Sequence, residues 1–101
     1  TTFTGCSLDY AILHGVSLAK QRFERCSFAE ADLSLADLSE AGFINCDLSN
    51  VDLQETTFRM TDLRGSNLTG WNLKRHDLAG IVITPDQAAA LVEALGIHVI
   101  L

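Results

Sequence analysis

The sequence predicts an all-β solenoid: about four square coils over residues 1–83, then a capping α-helix and a short terminal strand over residues 84–101. Three observations predict it. Every fifth residue from Phe3 to Leu78 is Leu or Phe, without a slip or an insertion, and Ile83 continues the series. The residue two before each stop is mostly small, and the one just before it is mostly polar, as in Ala31-Asp32-Leu33 and Ala36-Asp37-Leu38. After Ile83 the rhythm ceases and a helix signature begins.

A period of five excludes both regular elements for the repeat. On a helix, five residues overshoot a whole turn by about 140°, so the apolar stops would wander round every face. On a continuous strand, an odd period would flip successive stops to opposite faces. A short strand followed by a turn fits. The small residue and the Leu or Phe share parity and point inward, the polar residue between them points outward, and the next two residues turn the chain.

Phe3, Phe23 and Phe43 are spaced by twenty, as are Cys6, Cys26 and Cys46 with Ser66 next, and Leu13, Leu33, Leu53 and Leu73. Stacked coils place like above like. Twenty residues, or four pentads, therefore make one coil of square section. Four coils at a strand spacing of ~4.8 Å span about 20 Å.

The helix follows from its own signals. Thr84 is the N-cap, Pro85 the first helical residue, and Gln87 completes a capping box. Ala88 to Leu95 are mostly strong helix formers, and Gly96 is the stop. A solenoid needs its open end covered, which assigns this helix as a cap. Ile97, Val99, Ile100 and Leu101 are too apolar to hang free, so they pack on this chain or on a second copy.

Thirteen acidic against seven basic residues give a formal charge of −6. That argues against ordinary binding to nucleic-acid phosphates. No apolar run approaches the ~20 residues of a membrane span, and no leader opens the chain. With reduced thiols this places the protein in the cytoplasm.

The cysteines lack metal-ligand spacing and read as small inward apolar residues. His14 falls at an exposed turn. Trp71 and His76 are large for inward small slots, so the interior widens there or turns them out. No nucleophile–base set, phosphate loop or metal motif is present, and a filled solenoid leaves no pocket. The expectation is a non-enzyme with no metal and no cofactor.

Folding at twenty per coil puts Glu30, Asp32, Asp37, Glu40, Asp52, Glu55 and Asp77 on two adjacent faces. Arg22, Arg25, Arg59 and Arg64 gather mainly on or beside the Phe3 face, while Lys74 and Arg75 interrupt the acidic side. Two readings stand: Asp fits the outward slot and keeps the rod soluble, or the acids form a surface that imitates DNA. Tyr10, Ile12, Leu35, Ile44 and Met60 are outward and apolar. Singly this is ordinary; as a set they outline a partner surface.

The small–Asp/Asn–Leu/Phe–x–x pentad resembles the pentapeptide-repeat family over about residues 1–83, which implies a right-handed quadrilateral β-helix. The ending from Thr84 to Ile100 resembles the C-terminus of the Qnr-type quinolone-resistance and related topoisomerase-modulating members. That resemblance implies a head-to-head homodimer, with Gln87, Ala88, Leu91, Leu95, Gly96, Ile97, Val99 and Ile100 at cap or interface. It also implies a DNA-mimic face of Glu30, Asp32, Asp37, Glu40, Asp52 and Glu55. Its partner would be a type II topoisomerase, DNA gyrase or topoisomerase IV, which the protein would protect from quinolones or toxins, or inhibit. The rival class is a structural interaction module with another protein partner. Thr1 already occupies an inward slot with no cap before it, so further coils are expected upstream.

Overall fold

The computed structural model describes residues 2–73, 76 and 78–97. Its backbone returns on itself every twenty residues. Strands β1 (Thr2–Thr4), β2 (Arg22–Glu24) and β3 (Gly42–Ile44) form one parallel sheet in that order. Phe3 lies opposite Phe23, and Phe23 opposite Phe43. Isolated parallel bridges keep the same register on the other three sides, joining Ser7 to Ser27, Ile12 to Asp32 and Ser17 to Asp37. The two short dimensions, 24 and 23 Å, are nearly equal, as a square section requires, and the long axis is 40 Å.

The corners differ from the sequence expectation in an informative way. A short strand was expected on every side, yet three-residue strands occur on one side only. On the other sides the stop's carbonyl accepts the amide three residues on, as Leu33 does from Ala36 at 3.0 Å and Leu38 from Ala41 at 3.0 Å. A tight turn of this kind leaves one ladder residue per side. On the Phe3 side the small residue's amide turns to the next coil instead. The Cys6 amide donates to Cys26 Sγ at 3.4 Å and the Cys46 amide to Ser66 Oγ at 3.0 Å. Released from the tight turn, that side extends into β1, β2 and β3.

Every described residue at a multiple of five from Gly5 to Gly80 has positive φ, including ten that are not glycine. L-residues disfavour this region. The inter-coil ladder holds them there, as when the Leu35 amide donates to Gln54 O at 2.8 Å.

Inside, Phe28, Leu33, Phe43, Leu48, Leu63 and Leu73 are fully buried. Phe3, Phe23 and Phe43 stack with ring centroids 5.1 Å apart, and Phe28 meets Phe23 and Phe43 edge-on. Polar small residues are also satisfied inside. The hydroxyls of Thr56, Thr61 and Ser66 donate to Leu33, Leu38 and Phe43 carbonyls, each 23 residues earlier, at 2.6–2.7 Å. Trp71 and His76 follow the same rule. Trp71 Nε1 donates to Leu48 O at 2.8 Å, and His76 Nε2 lies 2.6 Å from Leu53 O. They are therefore not turned out: Trp71 is buried and His76 half-buried against Phe58.

Helix α1 (Pro85–Ala94) starts after Thr84. The Thr84 amide and hydroxyl donate to Gln87 Oε1 at 2.8 and 3.0 Å. At the other end, the Gly96 amide bonds Glu93 O and the Ile97 amide bonds Val92 O, with Gly96 at φ +85°. This is a Schellman ending, and its left-handed residue suits glycine. Buried Gln87 ties α1 to the coils, its Nε2 donating to Leu63 O at 2.6 Å and Ser66 O at 2.8 Å. No helix is long and apolar enough to cross a membrane among the described residues.

Candidate partner-binding surface

The first of the four sides bears β1 to β3. On the third side, Ile12, Asp32 and Asp52 occupy successive rungs of one parallel ladder. Two carboxylates one rung apart repel, by about 1 kcal/mol in bulk water at such spacings and more near a low-dielectric wall. The ion pairs among the described residues are Arg22 with Glu24 and Arg64 with Asp62, both on the first side. Glu30 stands at the corner that opens the third side, and Glu55 at the corner shared with the fourth; both are exposed. The fold thus gathers Glu30, Asp32, Asp52 and Glu55. Asp37 lies round the corner on the fourth side and exposed Glu40 at its far edge. Asp77, Lys74 and Arg75 lie outside the described residues.

The aspartates do more than carry charge. Asp32 Oδ1 accepts the Ser34 amide at 3.0 Å and hydroxyl at 2.5 Å, and Asp37 Oδ1 accepts the Ser39 amide at 3.0 Å. Asp47, Asp52 and Asn67 repeat this two-residue staple. Such local bonds fix the turn that follows. Hydrogen bonding from Ser34 and Ser39 holds the Asp32 and Asp37 carboxyls below the ordinary range despite some desolvation. Sequence reasoning missed this role, although Asp-x-Ser/Thr spacing signals it.

A pH prediction follows. Carboxylates with depressed folded pKa values stabilise the fold above their unfolded pKa near ~3.9, and that contribution is lost as pH falls through the folded value. Ser34→Ala removes the hydroxyl bond and keeps the amide bond. The Asp32 titration should move up toward the ordinary value, and acid unfolding should begin at higher pH. Carbon-detected NMR titration of Asp32 checks it; an unmoved titration would contradict the staple.

Other predicted residues are placed as follows. Gln87 and Leu91 are buried within the protomer, Ala88 is half-buried, and Leu95, Gly96 and Ile97 are exposed. Val99 and Ile100, with His98 and Leu101, lie outside the described residues. Exposed His14 places Nδ1 2.7 Å from Ser34 Oγ. Cys26 and Cys46 are buried, and burial pushes the Cys46 thiol up, away from reactive thiolate character. Among the described residues no three potential metal ligands cluster.

The expectation of no pocket needs correction. An open groove of about 970 Å³ runs past Asp52, Glu55 and Asn72 to His76, where a bulky ring replaces a small inward residue. A second basin of about 540 Å³ is lined by half-buried Leu8, Leu13 and Leu18 of the first coil.

The sequence pattern of pentapeptide repeats, in eight copies, matches residues 22–54, 31–70 and 46–81. Among solved structures, the pentapeptide repeat protein Rfr23 from the cyanobacterium Cyanothece 51142 has a similar fold. It shares 20% identity over 84% of this chain and 85% of that one, with a TM-score of 0.68. Alr5209 from Nostoc Pcc 7120 shares 17% over 83% and 81%, with a TM-score of 0.44. A trypsin-treated form of QnrB1, a plasmid-mediated fluoroquinolone resistance protein, shares 22% over 98% and 70%, with a TM-score of 0.39. The likeness to Rfr23 shows a common fold; the other two superpose too loosely to carry an argument. No curated protein sequence gives a significant match.

Proposed function

This chain belongs to the pentapeptide-repeat family, a right-handed β-helix, and we propose that it is a binding rod whose acidic third and fourth sides imitate DNA toward a type II topoisomerase. One observation supports this reading most: Asp32 and Asp52 sit on adjacent rungs, flanked by exposed Glu30 and Glu55, with no ion pair to them among the described residues. A ladder of carboxylates without ion pairs among the described residues keeps a negative potential, which a basic DNA channel relieves. The section of 24 by 23 Å suits a site shaped for a duplex. The C-terminal resemblance to topoisomerase-modulating members adds gyrase as the partner and the head-to-head homodimer as the assembly. In that assembly exposed Leu95 and Ile97 face the second copy, while Gln87 and Leu91 serve the cap over the four-coil rod. The reading places the protein in the cytoplasm, where thiols stay reduced, and assigns it no catalytic step.

A supercoiling assay with DNA gyrase, with and without a quinolone, tests the proposal. The protein should alter supercoiling or protect it from the drug, and Glu30→Lys/Asp52→Lys/Glu55→Lys should weaken the effect at least ten-fold. These positions are exposed, so the fold should survive. No effect at a large molar excess would sink the proposal. A second reading, a structural module for another protein partner, draws support from the turn-stapling use of Asp32 and Asp37. Under it, charge reversal abolishes pull-down of partners that do not include a topoisomerase.

A further inference from the structure

We propose that the third side also carries an apolar anchor, built from Tyr10, Ile12 and Leu35, that seats an amphipathic basic helix of the partner. The inference rests on the acidic-surface reading and narrows the partner's chemistry. Ile12 is 82% exposed, Tyr10 71% and Leu35 49%. Ile12 takes an outward ladder slot that its neighbours on the same ladder fill with Asp32 and Asp52. Tyr10 and Leu35 sit at corner positions with φ near +60°. Such corners favour Gly or Asn, and an exposed Leu there gains neither backbone relief nor burial. Every described corner of the rod shares that conformation, so what sets this side apart is three apolar side chains gathered in outward positions, as at interaction surfaces. Ile44 and exposed Val82 lie on the first side, and Met60 lies at the far corner.

The dimensions select a helix. One side spans about three extended residues, or roughly 10 Å, and the rungs from Ile12 to Asp52 span about 10 Å more. A helix with its side chains is about 10–12 Å wide. Its apolar stripe can lie on Tyr10, Ile12 and Leu35, with Leu35 approached freely over Gly15, whose Cβ direction is open space. Its lysines or arginines then reach Glu30, Asp52 and Glu55. Hydrogen bonding and charge from Glu30 push the Tyr10 phenol's pKa up, which keeps that ring neutral beside the acids. The charge selects a basic helix and repels an anionic lipid surface.

The test uses two labelled 18-residue helical peptides of equal positive charge. One carries a leucine stripe; in the other the leucines are alanines. Fluorescence anisotropy should show the leucine peptide binding at least ten-fold tighter. Ile12→Ser/Leu35→Ser should erase that preference, and Met60→Ser should change it less than two-fold. Equal binding of the two peptides, or a preference that survives Ile12→Ser/Leu35→Ser, overturns the anchor. The underlying acidic reading is separable. If both peptides bind equally, and the binding weakens with salt and with Glu30→Gln/Glu55→Gln, the anchor falls and the acidic surface stands. If neither peptide binds, the anchor is overturned as well.

Discussion

Phe43→Ala should cost about 4 kcal/mol, a large share of the roughly 5–15 kcal/mol that holds a domain folded. Phe43 is fully buried. It stacks on Phe23 at 5.1 Å and meets the Phe28 edge at 5.5 Å. Truncation removes the ring's transfer free energy and leaves a void that a closed coil cannot collapse into, because each side is pinned by inter-coil bonds such as Phe43 N–H to Asp62 O at 2.7 Å. Aromatic pairing adds about 0.5–1.5 kcal/mol beyond burial. Urea unfolding followed by fluorescence of buried Trp71 reads the loss directly.

Two controls sharpen this expectation. Phe3→Ala truncates a ring that is 39% exposed and, among the described residues, stacked on Phe23 alone, so it should cost about 1 kcal/mol. Phe43→Leu should cost less than ~1.5 kcal/mol, because Leu63 fills the same slot one coil on. Solenoid stability is a sum of coil and interface terms. Phe43 contacts the coils on both sides, so its loss should also lower the urea m-value as the transition loses cooperativity. Equal losses for Phe3→Ala and Phe43→Ala would show that the aromatic ladder does not carry the core.

The interior was legible in the sequence because the period is written in residue identity. Leu33, Phe43 and Leu63 are inward by position and large by type, so register and burial could be read together. The corners were not legible. Tyr10, Lys20, Glu30, Leu35 and Met60 share one left-handed conformation without sharing any chemistry, since long-range ladder bonds impose it from outside the pentad. The cysteine column was half legible. Its small size was evident, but not that Cys26 Sγ and Ser66 Oγ receive the amides that close no tight turn, which is why one side alone extends into strands. The acidic face was read as charge and is partly turn chemistry, since Asp32 and Asp37 spend one oxygen each on Ser34 and Ser39. Asp52 spends an oxygen on the Gln54 amide in the same way, which shifts the burden of partner contact toward Glu30 and Glu55.

Gln87→Leu should cost about 3 kcal/mol and release α1 before the coils unfold. The Gln87 amide is buried and spends all four of its hydrogen-bonding positions within the chain. Nε2 donates to Leu63 O and Ser66 O, and Oε1 accepts from the Thr84 amide and hydroxyl. Leucine fills the space yet leaves the carbonyls of buried Leu63 and Ser66 with fewer bonds, and each unmet buried group costs about 1–3 kcal/mol. Hydrogen exchange separates the two levels of failure. The Leu73 amide, which donates to Ala94 O in α1, should exchange faster, while the Asp52 amide on Ala31 O should keep its protection. Gln87→Glu supplies the sign test. A carboxylate there faces two carbonyl oxygens, so its folded pKa rises above the unfolded value. The variant's stability, relative to the parent, is then greatest below pH ~4.3 and falls as pH rises through the folded pKa. A Gln87→Glu chain whose relative stability does not change with pH would show that the amide bonds do not hold the helix.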